Sequence, residues 1–174
     1  MVTSIKLRKD ESGKGLDETL YTSMIGSLLY LTASRPKITF NVGACARCQA
    51  CPREFHLIAL KHVIRYMIGT LELGLWYSFN THVDVACYTN ADWAGNVDDW
   101  KNTSGGFFNI GNCLVAWMSK KQNSVSLSTA EVKYIAIGSC YTSLFWIKQM
   151  LSDYRMGQGT RLCFVITQVP SIYI

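Results

Sequence analysis

The stretch that could perform metal chemistry is residues 88–95, which read Tyr-Thr-Asn-Ala-Asp-Trp-Ala-Gly. An apolar alternation over residues 83–87 precedes it and predicts a β-strand that ends near Asn90. A strand that ends in small and acidic residues can offer oxygen ligands to a hard divalent cation. Asp92 supplies a carboxylate here, whereas Asn90 supplies an amide oxygen without charge.

A second candidate metal set consists of Cys45, Cys48 and Cys51, spaced three residues apart, with His56 nearby. Thiolates and imidazoles at such spacings are typical of zinc or iron–sulfur sites. We favour the alternative that these cysteines are small core residues of a helix, because no second pair completes a four-ligand set nearby. The chain has seven cysteines, an odd number, which favours free buried thiols.

Two adjacent lysines, Lys120 and Lys121, close a predicted strand beside residues 88–95. They are candidates for contact with nucleic-acid phosphates, and a solvated strand end is an equal alternative. The formal net charge of +5 permits nucleic-acid contact without demanding it. We expect the aromatic side chains at positions 76, 77, 117 and 146 to be core residues rather than stacking platforms.

Hydrophobic periodicity, together with helix-capping residues, glycines and prolines, predicts the helices and strands that must position these residues. In the first half, helices are predicted over residues 18–32 and 38–50, a third from Pro52 to Gly69, and a short strand over residues 73–77. In the second half, strands are predicted over residues 83–90, 104–110, 113–119 and 161–167. Gly111 and Asn112 predict a hairpin turn between the second and third of these strands. A long helix is predicted over about residues 130–152, with its cap at Ser128 and Thr129. This order predicts an α/β fold in which the last strand lies beside the first.

Length and composition limit the domain organisation. The 174 residues, about half of them apolar, suffice for one domain, or for a small domain with a substructure. Residues 1–18 are polar and predict a flexible lead-in. No apolar run is long enough to cross a bilayer and the first residues contain no apolar signal core, so we expect no membrane partner and a cytoplasmic or nuclear location.

Several motifs resemble one known family. Residues 21–36 and 62–77 are similar to the end of the reverse transcriptase in Pol polyproteins of copia-type LTR retrotransposons, and residues 88–105, 119–123 and 127–136 resemble the ribonuclease H domain that follows. The resemblance implies that residues 19–80 form the helical end of the reverse transcriptase, or connection. It implies that residues 81–174 form a truncated ribonuclease H-like domain.

The resemblance also implies an activity, cleavage of the RNA strand of RNA–DNA hybrids during reverse transcription. In the intact family Mg²⁺ held by carboxylates performs this reaction, and the partners are the hybrid and the rest of the Pol polyprotein. By resemblance, the first carboxylate position is Asn90 in this chain and the second is Lys133. Asp92 and Glu131 are nearby acids that the resemblance does not make main ligands.

Helical geometry supports the choice of Lys133 over Glu131. Counting from Lys133, positions 137, 140, 144, 147 and 151 are apolar and predict a stripe that faces the sheet. Counting from Glu131, the positions are more polar, so Glu131 is expected to face solvent. An ammonium group at 133 would repel a divalent cation.

The third carboxylate of the family lies in a Cys-Asp-Asn tripeptide at the end of the fourth strand, but Cys163 is followed by phenylalanine here. Codons for Phe-Cys-Asp-Asn-Thr-Ser-Ala-Ile-Tyr, read one base later, give Phe-Val-Ile-Thr-Gln-Val-Pro-Ser, which is the sequence of residues 164–171. We interpret residues 164–174 as a frameshifted tail. The sequence therefore predicts a degenerate, pseudogene-like copy that is catalytically inactive and needs no cofactor. The alternative is a non-catalytic remnant that still binds nucleic acid.

Overall fold

The structure is a computed structural model that describes residues 13–79, 82–92, 98–156 and 161–165. The chain divides into two compact units, which are described separately. The helical unit comprises Met1–Leu75 with Asn96–Asp99, and the sheet unit comprises Trp76–Gly95 with Trp100–Ile174. In the described part of the chain, no helix combines the length and the hydropathy that a membrane span requires.

Three helices form the helical unit: α1 (Glu18–Leu31), α2 (Pro36–Ala46) and α3 (Glu54–Ile68). The Asp17 carboxylate caps α1 by accepting hydrogen bonds from the backbone N–H groups of Thr19 and Leu20. One buried side from each helix meets in a common core, whose buried members are Tyr21, Ile25, Leu28, Ile38, Val42, Cys45, Leu60, Val63 and Met67. The three predicted helices are confirmed, because each carries the apolar period that this core requires.

Two helix boundaries differ from the prediction. Helix α2 begins at Pro36 and ends at Ala46, because proline fits the first helical position, where no N–H partner is needed. Helix α3 begins after Arg53 rather than at Pro52, and its start is closed by a hydrogen bond from the Arg53 backbone N–H to His56 Nδ1 at 3.0 Å. The predicted stop at Gly69 is confirmed.

The short strand predicted over residues 73–77 is wrong. The structure shows extended chain without strand pairing there. The Arg35 guanidinium donates to the carbonyl of Leu73, the first residue of the segment, and to that of Thr70 just before it. Trp76 is 87% exposed and Tyr77 is also exposed, so burial does not hold this segment against a sheet. The expectation that these two residues are core is wrong, as it is for exposed Trp146.

Four strands form the sheet: β1 (Val85–Ala91), β2 (Thr103–Ile110), β3 (Cys113–Lys121) and β4 (Arg161–Val165). Their order is β3-β2-β1-β4, with antiparallel pairing except between β1 and β4, which are parallel. The hairpin at Gly111 is confirmed, and its φ of 57° is a conformation that glycine adopts readily. The prediction that the last strand lies beside the first is also confirmed, so the fold is α/β with a mixed sheet.

Helix α4 (Thr129–Asp153) packs on one face of this sheet. The buried side chains between them are Val85, Cys87, Phe108, Cys140, Leu144, Ile147 and Leu151. At Gly106 the helix comes so close that an added Cβ would lie 2.6 Å from Cys140 Sγ. The missing side chain at 106 therefore allows α4 to approach the sheet.

Candidate active site

Asn90 lies one residue before the end of β1 and is half-buried. Its side-chain Oδ1 accepts a hydrogen bond from the backbone N–H of Ala91 at 2.9 Å. The amide oxygen therefore caps its own strand end, and it brings no negative charge to the position that the family fills with a carboxylate.

Asp92, directly after β1, holds the strand end against β2. Its Oδ1 accepts a hydrogen bond from the backbone N–H of Thr103 at 2.5 Å, and its own N–H donates to the Thr103 carbonyl at 3.3 Å. One carboxylate oxygen is thus engaged with the backbone, and the geometry assigns Asp92 a structural role at this strand end.

Glu131 closes the start of α4. Ser128 Oγ accepts a hydrogen bond from the Glu131 backbone N–H at 3.1 Å, and Glu131 Oε2 accepts one from the backbone N–H of Leu127 at 2.8 Å. This reciprocal pattern resembles a capping box, and a carboxylate in the first helical turn is favourable because the helix dipole is positive there. Glu131 is exposed, as its helical position predicts.

Lys133 lies on the flank of the buried stripe of α4 rather than on it. The prediction that the stripe begins at Lys133 and Ile137 is wrong by one residue, because the buried positions are Val132 and Ala136. From Cys140 onward, the predicted stripe is confirmed. Lys133 is half-buried, which fits a long side chain whose methylene stem packs and whose ammonium group reaches water.

Phe164 occupies the position directly after Cys163, where the resemblance would place the third carboxylate. It pairs in register with Tyr88, and the two rings stack with centroids 5.2 Å apart at an interplanar angle of 15°. Since Thr89 pairs with Val165, the residue beside Asn90 would be 166, which falls outside the described residues, as does the rest of the proposed frameshifted tail.

These residues do not fit a divalent cation. Asn90 is neutral, Lys133 is cationic, and the two nearby acids each accept a backbone hydrogen bond. In residues 13–79, 82–92, 98–156 and 161–165 there is no group of three or more His, Cys, Asp or Glu side chains arranged to hold a metal.

The cysteine set of the helical unit is not gathered around a common point either. Cys45 and Cys48 are buried, but Cys51 is exposed. His56 is buried and accepts the hydrogen bond that closes the start of α3. Burial raises the pKa of the Cys45 thiol to about 11, which opposes the thiolate form that zinc requires.

A buried polar cluster links the start of α4 to the sheet, and its members were not among the residues predicted from the sequence to have a role. Gln122 Nε2 donates to Ser104 Oγ at 2.9 Å and to the Val132 carbonyl at 3.0 Å, and its backbone N–H donates to the Asn102 carbonyl at 2.8 Å. The only hint in the sequence is that Asn102 lies shortly before one predicted strand and Gln122 shortly after the next. This cluster fixes where α4 begins relative to Asn90.

The lysine pair lies at the same end of the sheet as Asn90. In the strand register, Ala91 pairs with Ser104 and Ser104 pairs with Lys120, which places Lys120 two strands, about 10 Å, from the end of β1. Lys120 is exposed and Lys121 is half-buried. Lys120, Lys121 and Lys133 therefore make this end of the sheet basic, and we call these three residues the lysine end.

Two buried thiols lie beneath the site, between β1 and α4. The hydrogen bond that Cys87 donates to Cys140, together with burial, raises the pKa of Cys87. The same hydrogen bond lowers the pKa of Cys140 to about 7. Both residues are fully buried, so the pair packs α4 on the sheet rather than forming part of the surface site.

The fold and site define an α/β protein whose polar and basic residues gather at the end of the first strand and the start of a long helix. Comparison with curated proteins finds relatives over most of the chain. It is 34% identical over 173 residues to the "Retrovirus-related Pol polyprotein from transposon RE1" of Arabidopsis thaliana, and 34% identical over 153 residues to that from transposon RE2. These alignments cover 99% and 88% of this chain but only 11% and 10% of the polyproteins.

A shorter relative is the "Secreted RxLR effector protein 161" of Plasmopara viticola, 34% identical over 128 residues. That alignment covers 73% of this chain and 90% of the effector protein. No family model matches the chain, and no solved structure matches it. The relatives establish that the chain belongs to the family of copia-type retrotransposon Pol polyproteins, of which it spans about a tenth.

Proposed function

We propose that the chain is a degenerate segment of a retrotransposon Pol polyprotein: the helical end of a reverse transcriptase joined to a ribonuclease H-like domain that does not cleave RNA. The observation that carries the proposal is the pair Asn90 and Lys133 at the end of β1 and the start of α4. In the intact element the segment would work on RNA–DNA hybrids with the rest of the polyprotein, in the cytoplasm or nucleus.

Charge is the physical reason for the predicted inactivity. Three ionised carboxylates would sum to −3, whereas asparagine, lysine and phenylalanine at positions 90, 133 and 164 sum to +1. Two divalent cations need anionic oxygen ligands to neutralise them in a compact site. A lysine ammonium at position 133 would also repel a divalent cation.

The test is cleavage of an end-labelled RNA–DNA hybrid in the presence of Mg²⁺ or Mn²⁺. We expect no EDTA-sensitive product from the wild-type chain, from Asn90→Asp, from Lys133→Glu or from the double variant, because the third position remains Phe164. An active ribonuclease H serves as the assay control. Specific EDTA-sensitive cleavage by the wild-type chain that Asn90→Ala reduces would overturn the proposal.

A second candidate function is non-catalytic binding of duplex nucleic acid, which the clustering of Lys120 and Lys121 with Lys133 favours. Replacing Lys120 and Lys121 with alanine should weaken hybrid binding and reduce the slope of log K against log salt by about one unit per lost phosphate contact. Lys61→Ala, an exposed lysine of α3, is the matched control and should leave both quantities unchanged. If the two changes had equal effects on hybrid binding, the lysine end would not be the surface that binds the hybrid.

A further inference from the structure

The sheet face opposite α4 carries one aromatic side chain from each of the four strands, and these side chains are aligned in register. Tyr88 of β1 pairs with Phe164 of β4 and with Phe107 of β2, and Phe107 pairs with Trp117 of β3. Directly paired residues point to the same side of a sheet, so the four rings form one line across it. We call this line the aromatic row; three strand spacings make it about 14 Å long.

The alternation of burial along β1 and β2 shows which face this is. Cys87 and Phe108 are buried against α4, whereas their neighbours Tyr88 and Phe107 point the other way. Phe107 is 41% exposed, which is unusual for a ring on a central strand, and Phe164, on the edge strand β4, is 42% exposed. Trp117, expected from the sequence to be core, is only half-buried.

The surface next to the aromatic row is open. Towards the end of β1 the next set of paired residues is Asn90, Gly105 and Ser119, and none of them carries a large apolar side chain. A Cβ added at Gly105 would approach only two backbone carbonyls, at 3.9 and 4.0 Å, in contrast to the 2.6 Å clash at Gly106 on the α4 side. In the described part of the sheet unit, side chains therefore crowd the α4 face at Gly106, whereas the opposite face has room for a side chain at Gly105.

Chemistry and charge favour a single-stranded nucleic acid as the occupant. An aliphatic face would suit a packed helix, but aromatic rings offer flat π-surfaces on which bases stack whatever their sequence. A four-stranded sheet can stack two or three bases on such rings. Lys121 lies on the same face as Trp117, four residues further along β3, and the chain carries a net charge of +5, so a phosphate backbone finds complementary charge at that end.

We propose that the aromatic row binds single-stranded nucleic acid, with bases stacked on Phe107 and Trp117, beside the rings of Tyr88 and Phe164 that already stack on each other, and with the phosphates directed towards the end of β3. This goes beyond the proposed function, because the ligand is a single strand and the surface is not the end of the sheet that would hold a duplex. The inference stands whether or not the chain cleaves hybrids.

The probe is a fluorescently labelled oligothymidylate of about ten nucleotides, titrated with the full chain and followed by fluorescence anisotropy. Phe107→Leu keeps a large apolar side chain but removes the ring, and it should weaken binding by about fivefold to a hundredfold, the range observed when one stacked aromatic is lost. Tyr134→Leu, an exposed aromatic of α4, is the matched control and should bind like the wild type.

Two further arms make the result decisive. An abasic oligonucleotide of the same length keeps the phosphates but loses every stacked base, so it should bind the wild type at least as weakly as oligothymidylate binds Phe107→Leu. The change Lys120→Ala should weaken duplex binding more than single-strand binding, which separates this inference from the lysine end. Because Phe107 is exposed, its replacement should leave the thermal unfolding midpoint nearly unchanged, and that measurement checks the fold of the variant.

The proposal is overturned if oligothymidylate does not bind, if the abasic strand binds as well as the thymidylate, or if Phe107→Leu and Tyr134→Leu behave alike. Sedimentation velocity tests the alternative that the aromatic row binds a second copy of the chain, because it measures self-association. Concentration-dependent association that Phe107→Leu abolishes, without oligonucleotide binding, would assign the aromatic row to a protein interface instead.

Discussion

Replacing Gly106 with alanine should destabilise the sheet unit, whereas the same change at the neighbouring Gly105 should not. Gly106 faces α4, and an added Cβ would lie 2.6 Å from Cys140 Sγ and 3.1 Å from Met118 Cγ. Gly105 faces the opposite side, where the nearest atoms would be 3.9 Å away or further. Two adjacent glycines thus report on the two faces of one sheet.

The magnitude follows from these distances. Non-bonded carbon contacts are most favourable at about 3.5–4.0 Å, so Cys140 or α4 must move by about 1 Å to accept the methyl group at 106. Inserting one methyl group into a packed core typically costs about 1–3 kcal/mol. At Gly105 alanine finds ordinary contacts, and the reduced entropy of the unfolded chain makes the change neutral or stabilising by up to ~1 kcal/mol.

The assay is urea unfolding followed by circular dichroism and tryptophan fluorescence, with a double-mutant cycle. Cys140→Ala removes the sulfur that the new methyl group meets, so Gly106→Ala should cost at least ~1 kcal/mol less on that background. If the two glycine variants are equally stable, or if the cost at 106 is unchanged without the Cys140 sulfur, the packing of α4 on β2 described above is incorrect.

Three further predictions concern the elements that position the site. Gln122→Leu should destabilise the sheet unit by about 1–3 kcal/mol in urea unfolding, because it removes the buried side-chain hydrogen bonds to Ser104 Oγ and to the Val132 carbonyl; the exposed Gln149→Leu should have little effect, and equal effects would count against the polar cluster. Ser128→Ala should cost about 1 kcal/mol of stability, and Ser128→Asp should recover it, because Oγ caps α4; thermal unfolding of both variants tests this. Burial raises the pKa of Tyr21 well above its ordinary value. Above about pH 10 the Tyr21 hydroxyl therefore stays protonated in the folded state but ionises in the unfolded state. The free energy of unfolding consequently falls as pH rises through that region. Tyr21→Phe should flatten this alkaline loss at a cost of about 0.5–1.5 kcal/mol for the lost hydrogen bond to the Cys45 carbonyl, and an unchanged slope between pH 8 and 11 would contradict the assignment.

Local periodicity was sufficient to predict most of the elements. The four helices, the hairpin at Gly111 and the place of β4 beside β1 follow from apolar spacing, turn chemistry and the short range of chain connections. Residues 73–77 were misassigned because their alternation of apolar residues resembles a strand, while the decisive interaction, the Arg35 guanidinium on nearby carbonyls, comes from a residue almost forty positions away.

The features that the sequence did not reveal are those that depend on register. The hydrogen bonds of Gln122 join three segments, and no single segment shows them. The aromatic row requires that Tyr88, Phe107 and Trp117 be directly opposite one another, and a one-residue slip in any strand would turn its side chain to the other face. The predictions at Asn90 and Lys133 came from motif resemblance. A change of charge at a single position can be recognised in the sequence without knowledge of how the strands pair.

The most direct test of the central claim is a titration of the purified chain with Mn²⁺, followed by electron paramagnetic resonance of the free ion. Since positions 90 and 133 carry an amide and an ammonium group, the account predicts no stoichiometric site, and the same weak binding for the wild type and for Asn90→Ala. A stoichiometric Mn²⁺ site in the wild type that disappears in Asn90→Ala would contradict it.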